Sequence, residues 1–416
     1  MTPRVNPSSG PVAISASEVD RHCTSCRDSK ASGGAPLAVT RLALTNFRSY
    51  ASAELSTSGR CIVLAGPNGA GKTNLLDAIS LLAPGKGLRG ATLAEHTRKG
   101  PSAHGVPHWA VSATVKRADH NYEIGTGLSA AASATSRQVR LNGAPAQSSA
   151  DLGELIQMAW LTPAMDRLFI EGASGRRRFL DRLTLGFDVG HAKQFVRYEQ
   201  AMRERSRLLK FGPRDPSWLD GLEKQMAENG VAIAVSRART VERLNEALHE
   251  RSAAGAFPCA RLAMRGETDS VIAERADDDQ SAEDMRARLE QGRIRDAESG
   301  RTGFGPHLSD LEVRHTEKRA DAWDCSTGEQ KALLISIVLA HARQLSHISG
   351  GLAPILLLDE IVAHLDAVRR SALFDEILAL GAQAWMTGTD PQMFNPLKDK
   401  ADLFEVADSQ VRLVSE

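Results

Sequence analysis

Three short stretches carry residue types and spacings suited to phosphate chemistry. Gly66-Pro67-Asn68-Gly69-Ala70-Gly71-Lys72-Thr73 fits the pattern G-x-x-x-x-G-K-T. Glycines let backbone N–H groups wrap phosphate oxygens without a Cβ in the way, and a following helix adds its positive N-terminal end. In such a loop Lys72 reaches the β- and γ-phosphates, and the Thr73 hydroxyl ligates Mg²⁺. Far along the chain, Ile355-Leu356-Leu357-Leu358 runs into Asp359-Glu360. A carboxylate at the end of a buried strand can hold Mg²⁺, and the next one can orient or deprotonate a water. An apolar strand ending in acids can also simply begin a loop; the phosphate loop elsewhere in the chain gives this one its functional reading.

The third stretch, Ser326-Thr327-Gly328-Glu329-Gln330-Lys331, precedes an apolar run from Ala332 to Leu345. Ser326 and Glu329 have the S-x-x-E spacing of a capping box, which explains the residues without any ligand. The same geometry of hydroxyl, glycine N–H and helix dipole also suits a γ-phosphate. Both readings stand at this point. Asp366, in Ala363-His364-Leu365-Asp366, can likewise be a helix N-cap.

The elements that must position these residues follow from periodicity. Residues 38–46 alternate apolar and polar, as a half-buried strand does. Residues 61–65 form a buried strand, with a helix expected from Thr73 to Leu82. Residues 108–142 read as a small antiparallel lobe with a hairpin turn at Asn142-Gly143. From Asp166 to Glu298 strand signals almost vanish. Trp218, Leu222, Met226, Ile233, Val241, Leu244 and Leu248 recur at helical spacing, a stripe that reads as packing rather than as a cofactor box. Residues 266–290 read as an acidic loop plus a surface helix. Strands return after residue 301, including 355–358 and 383–387. The expected layout is an α/β domain split in sequence by a mostly helical insertion. Its parts are a disordered tail (1–36), a first α/β segment (37–165), a helical insertion (166–300) and a second α/β segment (301–416), which the resemblance given below makes the two ATPase segments and the arm.

The chain of 416 residues has 51 Lys+Arg and 51 Asp+Glu, so its formal net charge is zero. Hydrophobic residues make up 42% and charged residues 25%, which excludes wholesale disorder and collagen-like or disulfide-scaffold classes. No stretch is long and apolar enough to read as a membrane span, and residues 1–36 lack the apolar core of a secretory signal, so a cytoplasmic location is expected. Cys23 and Cys26 form a lone C-x-x-C without the second ligand pair a zinc site needs. Cys61, Cys259 and Cys325 read as reduced, partly buried thiols. Charge is uneven: residues 166–210 hold eleven Lys/Arg against six Asp/Glu. A local surplus of this kind suits DNA phosphates; a solvated helix face with i,i+4 pairs is the simpler alternative. The candidate DNA contacts are Arg176, Arg177, Arg178, Arg203 and Arg207. No base-reading motif is visible, so sequence-independent binding is expected.

Taken in order, the phosphate loop, Ser326-Thr-Gly-Glu, the Leu-Leu-Asp-Glu strand and the Leu365-Asp366 turn resemble those of ABC-type ATPases of the SMC class. Leu44-Thr-Asn-Phe47-Arg48-Ser-Tyr50, Leu161-Thr-Pro163, Arg177-Arg178-Phe179-Leu180-Asp181 and Gly303-Phe-Gly-Pro-His307-Leu-Ser-Asp-Leu311 narrow this to the RecF family of bacterial recombination mediators. The resemblance covers about residues 38–416.

It implies an SMC-like ABC-ATPase head that binds ATP and Mg²⁺, with Arg48 joining the loop residues in ATP binding. It implies an ATP-dependent homodimer in which Ser326, Gly328 and Glu329 close the partner's site, with Asp366 as the D-loop acid. Glu360 and Lys72 would be catalytic, and hydrolysis a weak, DNA-stimulated switch. It implies binding at single-strand gaps and single-strand/double-strand DNA junctions during DNA-damage repair, replication restart and the SOS response. RecR and RecO would be partners, promoting RecA loading.

The chain departs from the usual pattern at Cys325, Glu329 and Leu308. It carries Thr387-Gly-Thr-Asp390 where many ABC ATPases have a switch histidine. A transporter nucleotide-binding subunit is disfavoured by the long insertion, and a nuclease-fused defence ATPase by the 50 residues after Asp366. An SMC-like ATP-binding scaffold with little hydrolysis is the remaining alternative, against which Glu360 argues.

Overall fold

The computed structural model describes residues 37–99, 108–129, 136–146, 152–212, 216–251, 255–274 and 278–414. The expected tail, 1–36, with its Cys23/Cys26 pair, lies outside the described residues.

The chain begins with β1 (Ala38–Phe47), β2 (Tyr50–Ser56), β3 (Cys61–Ala65) and helix α1 (Lys72–Ser80). Strands β4 (Trp109–Arg117), β5 (His120–Leu128), β6 (Gln138–Leu141) and β7 (Ala144–Pro145) follow, then α2 (Leu152–Leu155) and β8 (Met158–Leu161). Next come α3 (Ala173–Phe187), α4 (His191–Phe211), α5 (Pro216–Arg251), β9 (Ala260–Arg265), α6 (Glu267–Glu274), α7 (Asp278–Gln291) and α8 (Arg293–Ser299). The last third holds β10 (Asp310–His315), β11 (Ala320–Asp321), α9 (Thr327–Ile348) and β12 (Ile355–Leu358). It ends with α10 (Ala367–Leu380), β13 (Ala384–Gly388), β14 (Ala401–Ala407) and β15 (Gln410–Leu413).

The central sheet has the order β15-β14-β3-β13-β12-β8 and is parallel except for β15. Its middle strands are unbroken apolar runs because both faces are covered. Side chains alternate between two cores: Cys61 and Val63 enter one and Ile62 and Leu64 the other, as do Leu356 and Leu358 against Ile355 and Leu357. One core is shared with α3, α5, α9, β9 and β10. The other is shared with α1 and a second, antiparallel sheet of order β2-β1-β4-β5-β6-β7. The β6–β7 turn is Asn142-Gly143, both at positive φ (50° and 82°), the backbone a tight two-residue hairpin requires.

Two expectations need correcting. The segment 166–298 is not free of strands: β9 pairs antiparallel with β10. Its sequence, Ala-Arg-Leu-Ala-Met-Arg, lacks β-branched and aromatic residues, so only its partner across the sheet makes it a strand. The stretch after Gly266 is helical on both sides of residues 275–277, as α6 and α7, rather than a loop and one helix.

Helices α4, α5 and α7 share a small core of Tyr198, Ala201, Met226, Ile233, Met285 and Leu289. Five of the seven stripe residues on α5 are buried; Trp218 is exposed and Leu222 half-buried. Beside that core lies a buried ionic cluster. Arg205 bonds Glu223 (2.9 Å), Asp296 (2.7 Å) and the Leu289 carbonyl (2.7 Å), and Arg293 also bonds Glu223. A guanidinium removed from water in this way needs all of these partners. Among the described residues, no helix is long and apolar enough to cross a membrane.

Helix α3 crosses α9 at Gly186, where an added Cβ would lie 2.9 Å from His341 Nε2 and 3.0 Å from Leu345 Cδ2. His341 is buried, its Nε2 is 2.9 Å from the Leu183 carbonyl oxygen, and Phe187 meets the ring edge-on. Burial lowers the His341 pKa from 6.5 to about 4. The expected cost of Gly186→Ala is about 1–3 kcal/mol in urea unfolding, because the buried ring cannot move aside. Because the folded-state pKa lies below the unfolded value, stability is intact above pH 6.5 and is lost as pH falls towards about 4. That loss should reach about 3 kcal/mol, and His341→Leu should flatten the dependence measured by urea melts between pH 7.5 and 4.5.

Candidate functional site

Strand register builds the site. Leu358 on β12 pairs with Met386 on β13, so Asp359 and Thr387 come next on adjoining strands. Thr387 and Gly388 pair with Leu64 and Ala65 on β3, so the loop begins beside them, with Gly66 N–H donating to the Gly388 carbonyl (3.1 Å). The carboxyl ends of parallel strands are where α/β sheets place ligands. Gly66 leaves β3 at φ 157°, and a Cβ there would lie 2.0 Å from the Val406 carbonyl oxygen on β14, so no other residue fits. The loop through Gly71 delivers Lys72 and Thr73 to the start of α1.

Lys72 is 4% exposed and donates to the carbonyls of Gly66 (2.7 Å) and Pro67 (2.8 Å). Burial lowers its pKa, and the carboxylates of Glu360 and Asp359 oppose that shift. Asp359 is also 4% exposed; its Oδ1 accepts from the hydroxyls of Thr73 and Thr387, each at 2.9 Å. Burial raises the Asp359 pKa, the two hydroxyls oppose this, and the neighbouring Glu360 charge adds to it. Glu360 stands at φ 53°, and its N–H donates to Thr387 Oγ1 (2.8 Å). Lys72, Thr73, Asp359 and Glu360, taken from opposite ends of the chain, therefore meet at one place.

A cradle of this shape, with a buried cation and a hydroxyl–carboxylate pair at its mouth, fits a magnesium triphosphate. Thr73 and Asp359 are the residues that would hold Mg²⁺, which supplies charge neutralisation for the phosphates. Among the described residues no group of three His, Cys, Asp or Glu side chains could hold a metal. A two-ligand site completed by phosphate oxygens and water is consistent with that.

Arg48 reaches α1 rather than the loop itself. In the β1–β2 turn, it bonds Asp77 on α1 (2.9 Å) and the Glu95 carbonyl (3.0 Å). Burial would raise the Asp77 pKa, but His96 and Arg48 hold it below the usual carboxylate range.

Ser326 is the N-cap of α9, and the capping box is complete: its N–H and hydroxyl both donate to Glu329 Oε2 (3.0 and 2.9 Å). The other Glu329 oxygen is bonded to Lys318 from the β10–β11 turn, and that ammonium, ahead of the Ser326 donors, pulls the Glu329 pKa down to about 2. Gly328 sits in the first turn of α9, with open space around it. Asp366 is the N-cap of α10 and accepts from Arg369 N–H (2.8 Å). The capping geometry is therefore present at both motifs.

The basic cluster divides. Arg176 grips Asp310 with two 2.8 Å bonds, its side chain 13% exposed, and Arg177 donates to the Ser309 carbonyl (2.7 Å). These two fasten α3 to Ser309 and to Asp310 at the start of β10, so both candidate DNA contacts already bond within the fold. Arg205 is in the buried cluster above, and Arg182 stacks on Trp160 (4.7 Å) and Phe179 (5.3 Å). Arg178, Arg203 and Arg207 face solvent, the last two paired with Glu199 and Glu204.

Sequence reasoning passed over Thr387 and Lys318. Thr387 ends the strand expected at 383–387 and opens the stretch that lacks a switch histidine; its position at the carboxyl end of a core strand next to the loop is the available signal for a site role. Lys318 has no local signal, because it meets Glu329 through the turn between two strands.

Comparison with known proteins places these features in a family. The sequence model described as RecF/RecN/SMC N terminal domain matches residues 38–411. A DNA replication and repair protein RecF from Rhizobium etli is 48% identical over 375 residues, 90% of this chain and 98% of the relative. One from Agrobacterium fabrum is 49% identical over 371 residues, 89% and 97% of the two chains. The recombination mediator protein RecF-ATPrS of the RecFOR pathway superposes with TM-score 0.80 at 21% identity, covering 91% of this chain and 99% of that one. An Smc head domain from Pyrococcus furiosus gives TM-score 0.51 at 17% identity, with coverage of 91% and 96%. The fold is thus that of SMC-like ABC-ATPase heads. With nearly half of its residues shared with such proteins along almost their whole length, the chain belongs to the RecF family of DNA replication and repair proteins.

Proposed function

We propose that this chain is an ATP-driven DNA-binding switch of recombinational repair. The observation that carries the reading is the Thr73–Asp359 bond beside the buried Lys72, which joins the two halves of a triphosphate site across 286 positions. Residues Gly66 to Thr73 cradle the phosphates, and Lys72 neutralises the β/γ charge. Glu360 takes the proton of the attacking water. A solved relative named for its ATP complex supports ATP as the nucleotide.

In this reading Ser326, Gly328 and Glu329 of one subunit close the loop site of a second, Asp366 lies at the joint, and hydrolysis reopens the dimer. Residues 37–165 and 301–416 form the head and 166–300 the arm. DNA at gaps or single-strand/double-strand junctions would be held without sequence preference, with Arg178, Arg203 and Arg207 as the solvent-facing candidates. The RecFOR pathway named for the relative supports RecR and RecO as partners in RecA loading. One observation favours a second reading for the signature: the Ser326 hydroxyl is already bonded within its own capping box, which a plain helix start also explains.

Light scattering of Glu360→Gln with and without MgATP separates these readings, with anisotropy of a labelled gapped duplex followed in parallel over a salt series. The expected result is a doubling of mass with ATP, DNA binding confined to that state, and loss of both in Ser326→Arg. A monomer indifferent to ATP and DNA would leave Ser326 as a helix cap only.

A further inference from the structure

Thr387 is fully buried at the end of β13, between the strand of the phosphate loop and the strand of the two acids. We infer that Thr387 is a positioning residue for nucleotide hydrolysis: its hydroxyl fixes the backbone of Glu360 and holds the Asp359 carboxylate by its Oδ1. The inference rests on the ATP reading above.

The hydrogen-bond directions are forced. A threonine hydroxyl has one proton and accepts at its lone pairs. The Glu360 N–H points at Thr387 Oγ1 (2.8 Å), so the oxygen accepts there. Its proton therefore goes to Asp359 Oδ1 (2.9 Å), because an ionised carboxylate can only accept. Thr73 donates to the same Oδ1 (2.9 Å), so two hydroxyls, one from the phosphate loop and one from β13, fix that oxygen.

Glu360 meanwhile stands at φ 53°, a left-handed conformation that glutamate keeps only where its surroundings dictate it. One hydroxyl thus sets both acids: the carboxylate that would hold the metal and the carboxylate that would take the proton. Strand register makes the arrangement rigid, because Thr387 is paired with Leu64 on β3. Angular placement of a base within a small tolerance is what such supporting groups provide.

The test compares Thr387→Val, which keeps the shape and removes the hydroxyl, with Thr387→Ser, which keeps the hydroxyl. Single-turnover ATP hydrolysis, binding of a fluorescent ATP analogue with and without Mg²⁺, and the melting temperature are measured on the full chain. The expected result for Thr387→Val is a fall of about 10–100-fold in kcat, with Mg²⁺-free nucleotide affinity within about 3-fold of wild type. Its affinity gain on adding Mg²⁺ should also shrink. Thr387→Ser should restore both kcat and the Mg²⁺ gain to within about 3-fold. Wild-type kinetics and an unchanged Mg²⁺ gain in Thr387→Val overturn the inference. So does a loss that Thr387→Ser fails to rescue, or one in which Mg²⁺-free affinity falls in step with kcat. If the wild-type chain binds but does not hydrolyse ATP, the hydrolytic reading fails separately, and the Mg²⁺-dependent affinity of the two variants still decides the role of Thr387.

Discussion

The structure depends on the register of three parallel strands. In their register Thr387 on β13 lies level with Leu64 on β3 and with Asp359, the residue after β12, while Gly66 begins the loop two residues beyond Leu64. A shift of one residue in β12 would send Asp359 to the other face and break its bond to Thr73, because side chains alternate along a strand. The two hydrophobic cores prevent that shift. Each strand residue from Ile355 to Leu358 is committed to one core or the other, so a slip would invert every one of them. Burial of aliphatic side chains thus fixes the position of a carboxylate whose own burial is unfavourable. The Asp359 pKa is raised by desolvation, and the two threonine hydroxyls lower part of that penalty without removing it. A cation at the site would relieve the remainder.

The same logic ties the inserted segment to the head. Arg176 and Arg177 on α3 bind Asp310 and the Ser309 carbonyl. Arg237 on α5 bonds the Asp181 carboxylate (2.7 and 2.9 Å) and the Pro306 carbonyl (2.7 Å). Guanidinium forks therefore hold the 303–310 loop from two helices. Bidentate arginine contacts of this kind carry geometric specificity as well as energy. The loop leads through β10 to the β10–β11 turn that carries Lys318, which grips Glu329 at the start of α9. A continuous set of packed and bonded elements thus runs from the inserted helices to the start of α9.

Much of this was legible in the sequence because the decisive features are local. The phosphate loop, the apolar runs of β3 and β12 and the Ser326–Glu329 spacing each read correctly as secondary structure, with β1 and α9 starting and ending close to their patterns. What could not be read depends on pairing across long separations. β9 is a strand because β10 lies beside it, not because Ala260–Arg265 favours extension. Net charge of a segment did not say which arginines face water: Arg176 and Arg205 count in the surplus yet are bound inside the fold. Thr387 acquires its importance from the strands on either side, which no window around residue 387 contains. Arg48 fell in a recognised motif, but its bond to Asp77 on α1 is a tertiary fact.

The central claim is that the Thr73–Asp359 pair forms the metal-binding mouth of a nucleotide site. Thermal unfolding of Glu360→Gln and of Glu360→Gln/Thr73→Val with saturating ATP, with and without Mg²⁺, tests it most directly. Ligand present at 100 times its dissociation constant stabilises a fold by about 2.7 kcal/mol, enough to read as a shift in Tm. The account predicts that Mg²⁺ adds a clear increment to the ATP-induced shift in the single variant and little or none in the double variant, while ATP alone shifts both alike. An equal Mg²⁺ increment in the two proteins would contradict it.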